Sequence, residues 1–253
     1  MTRRRFYAPA EGFSSDTLSA TLNADETRHL RDVLRLTSGD EIYLFDGAGR
    51  EFQGEVQTIA RDLTKVALLK EVAPACPESP LELTLAVALL KGEKFDLVVQ
   101  KATELGVTRV LPIITARADI KIKREDDAAR KVSRWQRIAL EATKQCGRAC
   151  LMQIETPATV AELIDHQKAT IGIRLMFAER DGVSLADVLL TAGKTLTNMT
   201  ALVGPEGGWT NDEMNHARGN DWKIVTLGGR ILRAETAAIV AATLLQHRFG
   251  DLA

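Results

Sequence analysis

The sequence predicts an α/β protein of two units, in which a small β-rich N-terminal unit precedes a larger unit built on a mostly parallel sheet. Three observations support this prediction. Residues 1–73 alternate apolar and polar side chains as strands do, whereas apolar runs and amphipathic helices take turns in residues 81–253. Between them, residues 74–80 contain three of the chain's seven prolines, which is typical of a linker.

The N-terminal unit opens with a short strand at RRFYA. A helix follows at NADETRHLRDVLRL, because Leu30, Val33 and Leu34 fall on one face and Asn23 or Asp25 supplies a cap. The rest of the unit alternates in the manner of strands and is broken by a glycine-bearing turn at residues 46–49. This order of elements predicts a small β-barrel.

The second unit begins with the apolar run LELTLAVALL, which is typical of a strand covered on both faces. A helix follows at EKFDLVVQKATELG, which Gly106 is positioned to end, and then the strand TRVLPII and a long helix at ARKVSRWQRIALEATKQCGR. Helices PATVAELIDHQ, SLADVLLTA, TNDEMNHAR and ETAAIVAATLLQHRF then alternate with strands IRLMFAE, MTALVG and WKIVTL. Thr210 and Glu213 stand at capping-box spacing at the start of TNDEMNHAR.

The composition is typical of a soluble globular protein, with 45% apolar and 26% charged residues. No apolar run approaches the roughly 20 residues that a membrane span needs, and no apolar core of a secretory signal follows MTRRRFYAP. The three cysteines are interpreted as reduced thiols, and the four scattered histidines have no metal-ligand spacing. We therefore expect a cytoplasmic protein with neither a membrane partner nor a metal.

The basic residues are bunched, although the formal net charge is only −1. Each cluster fits either the solvated face of a helix or a patch for a phosphate backbone. Three clusters in a nearly neutral chain favour local patches that bind RNA. The candidate RNA-binding residues are Arg3, Arg4, Arg5, Arg28, Arg31, Arg35, Lys121, Lys123, Arg124 and Arg148.

Two glycine-bearing loops each follow an apolar strand and precede a helix. The first is GPEGG at residues 204–208, and the second lies within LGGRILRAET at residues 227–236. Because ligands of parallel sheets bind beyond the carboxyl ends of the strands, two such loops from neighbouring strands would form one pocket lined by main-chain groups. The alternative is that the glycines serve only tight connections.

The motifs of other common small-molecule sites are missing. No G-x-G-x-x-G follows an early strand, which argues against a dinucleotide site. The GKT at residues 193–195 lacks the earlier glycine of a P-loop, since Val188 stands at that position, and there is no G-x-S-x-G nucleophile elbow. A Pro-Glu-Gly-Gly loop instead suits a site in which main-chain groups wrap an adenine and pair with its edge.

Four segments resemble the SPOUT methyltransferases, and among them most of all the bacterial ribosomal small-subunit methyltransferase E family. They are LVGPEGGWTNDE, VTLGGRILRAETA, KGEKFDLVVQKATELGVTRVLPI and RIALEATKQCGR, and the resemblance spans nearly the whole chain. The chain departs from the family pattern near Met152, where the family usually has a proline.

The resemblance implies a SPOUT-type C-terminal domain with a deep trefoil knot, which is a rare exception to unthreaded folds, and a PUA-like N-terminal β-barrel domain. It also implies S-adenosylmethionine as cofactor, methylation of N3 of a uridine in 16S rRNA of the small ribosomal subunit, and a homodimer. Two alternatives stay open. One is a SPOUT enzyme that acts on tRNA or a ribose 2′-hydroxyl, and the other is an RNA-binding adaptor without catalysis.

The same resemblance, with the chemistry of N3, suggests residue roles. Uridine N3 must lose a proton, so a cation and a base near it would assist. Arg233 is the candidate cation, and Glu235 and Glu206 are the candidate bases or orienting groups. The expected cofactor-binding residues are Met176, Phe177, Ala178, Leu202, Gly204, Pro205, Glu206, Gly207, Gly208, Leu227, Gly228, Ile231, Leu232 and Thr236.

Overall fold

The described residues of the computed structural model fold into two compact units. The structure describes residues 3–118, 120, 124–167, 172–191 and 196–252. The first unit comprises the described residues up to Glu78 together with Thr143–Leu151, and the rest of the described chain forms the second unit. This division differs from the predicted one, because a segment from the middle of the chain packs into the N-terminal unit.

In the described part of the first unit, five strands form one sheet: β1 (Arg5–Tyr7), β2 (Ser19–Leu22), β3 (Glu41–Phe45), β4 (Glu51–Ile59) and β5 (Thr64–Val72). Their order across the sheet is β1-β3-β4-β5-β2. Strand β1 is parallel to β3, and the other neighbouring pairs are antiparallel. The alternating pattern of this region therefore does correspond to strands.

Helix α1 (Ala24–Arg28) begins at Asn23, whose side chain accepts a hydrogen bond from the Glu26 N–H, so the cap is Asn23 and not Asp25. The helix continues as a π-helical turn over His29–Val33. Leu30 is completely buried, but Val33 and Leu34 are exposed, contrary to the prediction that all three lie on one face. The reason is that a π-helical turn holds more residues than an α-helical turn and so rotates later side chains off the face.

Buried ion pairs hold Thr143–Leu151 in the first unit. Arg5 donates hydrogen bonds to the Glu51 carboxylate at 2.9 Å and to the main-chain oxygen of Arg148 at 2.7 Å. Arg148 in turn pairs with Glu78 at 2.7 Å, and both arginine side chains are buried. Arg5 and Arg148 are predicted RNA-binding residues; the structure buries both side chains in internal ion pairs, and their binding of RNA stays a prediction. The sequence pattern does not reveal this, because it does not show which charges find a partner inside the unit.

Glu51→Ala is expected to destabilise the protein by about 3–5 kcal/mol, because it leaves the Arg5 guanidinium buried without its carboxylate. Denaturant unfolding followed by circular dichroism measures this loss. The matched control is Glu71→Ala, which breaks the exposed Arg50–Glu71 pair at 2.8 Å and should leave the unfolding midpoint nearly unchanged. Equal effects of the two substitutions would contradict the importance of the buried pair.

In the described part of the second unit, eight strands form a sheet in which every pair is parallel. They are β6 (Glu82–Ala88), β7 (Arg109–Ile114), β8 (Gln153–Ile154), β9 (Ala158–Thr159), β10 (Ile173–Phe177), β11 (Val183–Ser184), β12 (Asn198–Val203) and β13 (Lys223–Thr226). The order is β11-β13-β10-β12-β6-β7-β8, with β9 also beside β7. The prediction of a mostly parallel sheet is confirmed.

The helices of this part of the chain are α2 (Lys94–Glu104), α3 (Glu125–Cys146), α4 (Val160–Gln167), α5 (Leu185–Thr191), α6 (Asn211–Arg218) and α7 (Ala234–Phe249). Gly106 follows α2 with a φ of +76°, a conformation that suits glycine and ends the helix as predicted. Met152 is buried in the core against Thr103 of α2, whose hydroxyl lies 3.7 Å from the methionine sulfur. None of the described helices is both long and apolar enough to cross a membrane.

The carboxyl ends of three neighbouring strands lie level with one another. Phe177 at the end of β10 is in register with Val203 of β12 on one side and with Val225 of β13 on the other. These three side chains belong to one core cluster, whereas Met176 and Leu202 belong to the cluster on the opposite face of the sheet. The segments that follow the three strands therefore leave the sheet side by side, as a site at strand ends requires.

Candidate active site

A cavity of about 190 Å³ lies beyond the carboxyl ends of β10, β12 and β13. The segments after these three strands line it, together with Arg117 after β7, Met214 of α6, and Ala234 and Ala237 at the start of α7. The two glycine loops singled out in the sequence thus share one cavity. A third segment joins them, because Glu179 and Arg180 follow β10 and line the same space.

The first glycine loop is shaped by the indole of Trp209. The indole N–H donates to the main-chain oxygen of Phe177 at 2.8 Å, so the loop is tied back to the end of β10. A Cβ atom added to Gly204 would lie 2.8 Å from the indole ring, which leaves no room for a side chain there. Gly208 has a φ of +65°, which side chains disfavour. Both glycines are therefore needed by the backbone geometry.

Contacts with other segments of the second unit also hold the first glycine loop in place. Helix α6 begins with the predicted capping box, in which Thr210 and Glu213 exchange hydrogen bonds. The second Glu213 oxygen accepts a hydrogen bond from the Ala116 N–H at 3.0 Å. Arg117 donates to the main-chain oxygen of Gly207 at 3.1 Å and lines the cavity. The segment after β7 thus holds the first glycine loop in place.

The second glycine loop is more open. Gly228 has a φ of +106°, and no atom of the described residues lies within 4 Å of a Cβ added to Gly228 or Gly229. Ile231 lines the cavity, although its side chain is largely exposed. Arg233 occupies the N-cap position of α7, makes no capping hydrogen bond with its side chain, and is exposed. Its guanidinium is therefore placed where the positive end of the helix dipole also acts.

The two candidate acids meet at one lysine. The ammonium nitrogen of Lys94, at the start of α2, lies 2.7 Å from a Glu206 oxygen and 3.8 Å from a Glu235 oxygen. The hydrogen bond to Glu206 raises the pKa of Lys94, so the ammonium stays charged. Among the residues that the structure describes, no group of three or more His, Cys, Asp or Glu side chains is arranged to hold a metal ion.

Most of the predicted cofactor-binding residues line the cavity. They are Phe177, Ala178, Gly204, Pro205, Gly207, Gly208, Leu227, Gly228, Ile231 and Leu232. Met176 and Leu202 do not, because adjacent strand residues point to opposite faces and these two side chains are buried in the other core cluster. Glu206 contacts Lys94 instead, and Thr236 is exposed on α7. Arg233 and Glu235 flank Ala234, which does line the cavity.

Several lining residues were not predicted, namely Arg117, Glu179, Arg180, Val203, Trp209, Met214, Gly229, Arg230, Ala234 and Ala237. Glu179 and Arg180 could have been found, since the rule of strand ends applies to β10 as it does to β12 and β13. Arg117 could not, because its contact with the first glycine loop joins residues 90 positions apart.

The predicted RNA-binding residues differ in their surroundings. Arg4, Arg28, Arg31, Arg35 and Arg124 are exposed. Arg3 is partly exposed and pairs with Glu51 at 2.9 Å. Lys121 and Lys123 lie outside the described residues.

Two family models match the chain. The RNA methyltransferase domain matches residues 77–246, and the RNA methyltransferase PUA domain matches residues 22–68. The fold and the cavity thus define an RNA methyltransferase with a PUA-like N-terminal domain. The predicted SPOUT-type α/β fold is confirmed, while the trefoil knot stays a prediction.

Comparison with similar proteins identifies one family among the RNA methyltransferases. Ribosomal RNA small subunit methyltransferase E of Synechocystis sp. is 33% identical over 88% of this chain and 71% of its own length. The protein of the same name from Rickettsia conorii is 32% identical over 84% of this chain and 83% of its own. A crystal structure of ribosomal RNA small subunit methyltransferase E from Neisseria gonorrhoeae, bound to S-adenosyl methionine, is 31% identical and covers both chains fully with a TM-score of 0.88. The chain belongs to the ribosomal RNA small subunit methyltransferase E family.

Proposed function

We propose that the protein transfers a methyl group from S-adenosylmethionine to N3 of a uridine in 16S rRNA of the small ribosomal subunit. The observation that carries the proposal is the convergence of two glycine loops on one cavity, with an arginine beside it at the N-terminal end of α7. The names of the relatives and the bound molecule of the Neisseria structure support the same substrate class and cofactor. We place this activity in the cytoplasm.

The cavity residues fit S-adenosylmethionine. Gly204, Gly207, Gly208 and Gly228 line the cavity without side chains, so the edge of an adenine could approach the main chain there. Leu232 and Ile231 supply apolar surface for its ring, and Glu179 is a carboxylate that suits a cationic group. When bound, the cofactor supplies a methyl group on a positively charged sulfur.

Residues of this chain would stabilise the negative charge that forms on the uridine. Loss of the N3 proton leaves a negative charge on the base, and the guanidinium of Arg233 would stabilise that charge. The N-terminal end of α7 adds positive potential at the same place. Glu235 or Glu206 would accept the proton from uridine N3, since an ionised carboxylate can act as a general base.

One experiment tests this function. The protein is incubated with labelled S-adenosylmethionine and small subunits from a strain that lacks the activity, and the labelled nucleoside is mapped by mass spectrometry. We expect N3-methyluridine in 16S rRNA. Label in tRNA or in a 2′-O-methyl ribose would instead establish the alternative SPOUT targets, and failure to bind S-adenosylmethionine would favour the adaptor.

The exposed arginines of the first unit are the proposed RNA surface. Replacing Arg28 and Arg31 together with glutamate is expected to weaken RNA binding and to flatten its dependence on salt by about 0.7–0.9 in log–log slope for each phosphate that the protein no longer neutralises. Binding is measured by filter retention or fluorescence anisotropy at several salt concentrations. The matched control replaces the exposed Lys65 and Lys70 with glutamate, which makes the same charge change elsewhere in the unit. An equal effect in the control would show that the change in net charge alone weakens RNA binding.

A homodimer is also part of the proposal. Leu244 of α7 and Ile231 offer exposed apolar side chains of the second unit that a partner could cover. Light scattering on the purified protein measures the mass in solution, and a monomer at micromolar concentration would count against the dimer.

A further inference from the structure

Lys94 stands out because it does not line the cavity, yet it contacts both candidate acids. Its ammonium nitrogen lies 2.7 Å from Glu206 Oε1 and 3.8 Å from Glu235 Oε2. Glu206 belongs to the first glycine loop, and Glu235 belongs to the first turn of α7. Lys94 is the first residue of α2, so one side chain connects three separate elements of the site.

The Glu235 carboxylate is in an unusual position. Its side chain is only 12% exposed, and its Oε2 atom is buried with no hydrogen-bond partner in the part of the chain that the structure describes. A buried carboxylate oxygen without a hydrogen bond is costly unless a positive charge lies near it. Lys94 provides that charge. Arg233, at the N-cap of α7, is a second cation near it, and its positive charge acts to lower the pKa of Lys94.

We propose that Lys94 is a positioning residue for methyl transfer, which holds the Glu206 and Glu235 carboxylates in place for removal of the uridine proton. The inference rests on the proposed function. When the N3–H bond breaks, its electron pair stays on the base and the proton forms an O–H bond with one of the two carboxylates. The other carboxylate stays ionised and paired with Lys94, so the charge of the cluster changes by one.

Loss of the Lys94 charge is expected to change the pH dependence of methyl transfer. A cation within about 4–6 Å lowers the pKa of a carboxylate, so removing Lys94 should raise the pKa of the acid that takes the proton. A carboxylate base works only when ionised, and the acid limb of the kcat profile should therefore move to higher pH. A purely structural contribution of Lys94 would lower activity at every pH without moving this limb.

The test compares Lys94→Met, Lys94→Arg and Lys101→Met in single-turnover methylation of small subunits across pH 5–9. We expect Lys94→Met to lower the rate about 10- to 100-fold and to move the acid limb up by about one pH unit. Lys94→Arg should restore most of the rate, because it keeps the positive charge. Lys101→Met is the matched control, since Lys101 lies on the same helix, pairs with Glu104 at 2.8 Å and is similarly exposed. It should behave as the wild type.

Calorimetry with S-adenosylmethionine and thermal unfolding confirm that each variant is folded and binds the cofactor within about threefold of the wild type, a difference of less than 1 kcal/mol. An unchanged rate and an unmoved acid limb in Lys94→Met would overturn the positioning role. A wild-type protein that methylates no rRNA would instead overturn the proposed function, so the two failures are distinguishable.

Discussion

Replacing Gly208 with valine is expected to weaken S-adenosylmethionine binding about 100-fold or more, which corresponds to a loss of at least about 2.7 kcal/mol of binding free energy. Gly208 lines the cavity, and a Cβ added there would lie 3.6 Å from the Glu179 carboxylate. The branched side chain of valine would therefore project into the space between these two parts of the lining. Titration calorimetry measures the dissociation constant.

The substitution also strains the backbone, and a control must separate the two effects. Gly208 has a φ of +65°, a conformation that costs a side chain about 1–2 kcal/mol. Gly39 in the first unit has a φ of +92° and open space around its Cβ position, so Gly39→Val imposes comparable strain away from the cavity. Gly39→Val should bind the cofactor normally. Normal affinity in folded Gly208→Val would show that the cofactor does not lie against this loop.

Replacing Arg233 with alanine is expected to leave cofactor binding intact and to lower turnover by about 100- to 1000-fold, because preorganised positive charge stabilises the anion that forms on the base. Arg233 is exposed and its side chain makes no capping hydrogen bond, so its removal should not destabilise α7. Single-turnover methylation at saturating cofactor measures the chemical step. Calorimetry on the same preparation measures the binding of S-adenosylmethionine.

Two further variants define what Arg233 contributes. Arg233→Lys keeps the positive charge and should recover part of the rate, since lysine lacks the planar fork of arginine. Arg248→Ala removes an arginine from the last turn of the same helix and should have no effect on turnover. Unchanged methylation by Arg233→Ala would remove this residue from the mechanism and leave the cofactor cavity as the basis of the activity.

Local signals predicted much of the site. The capping box of Thr210 and Glu213 starts α6 as expected, because a cap depends on residues only three positions apart. The apolar runs of the second unit form a parallel sheet, since strands that are covered on both faces typically have near-continuous apolar sequences. The loops at residues 204–208 and 227–232 converge because their strands are near neighbours, both paired with β10. The family resemblance supplied the cofactor, which no spacing of residues could.

Local sequence signals do not predict contacts between residues that are far apart in the chain. Nothing near Arg5 in the chain indicates that it is buried against Glu51, and nothing near Lys94 indicates that it contacts Glu206, 112 residues away. Met176 looked like a pocket residue by its place at a strand end, but the sheet turns its side chain to the opposite core.

The sequence by itself determined the class of fold, the order of the longer strands and helices of the second unit, and the two glycine-bearing loops, because propensity, periodicity and turn geometry act over a few residues. Only the tertiary structure decided which charges became internal ion pairs and which remained exposed to solvent. It also decided which side of each strand faces the cavity and which lysine joins the two acids. These outcomes depend on the packing of elements far apart in the chain, where burial makes an unpaired charge too costly to leave alone.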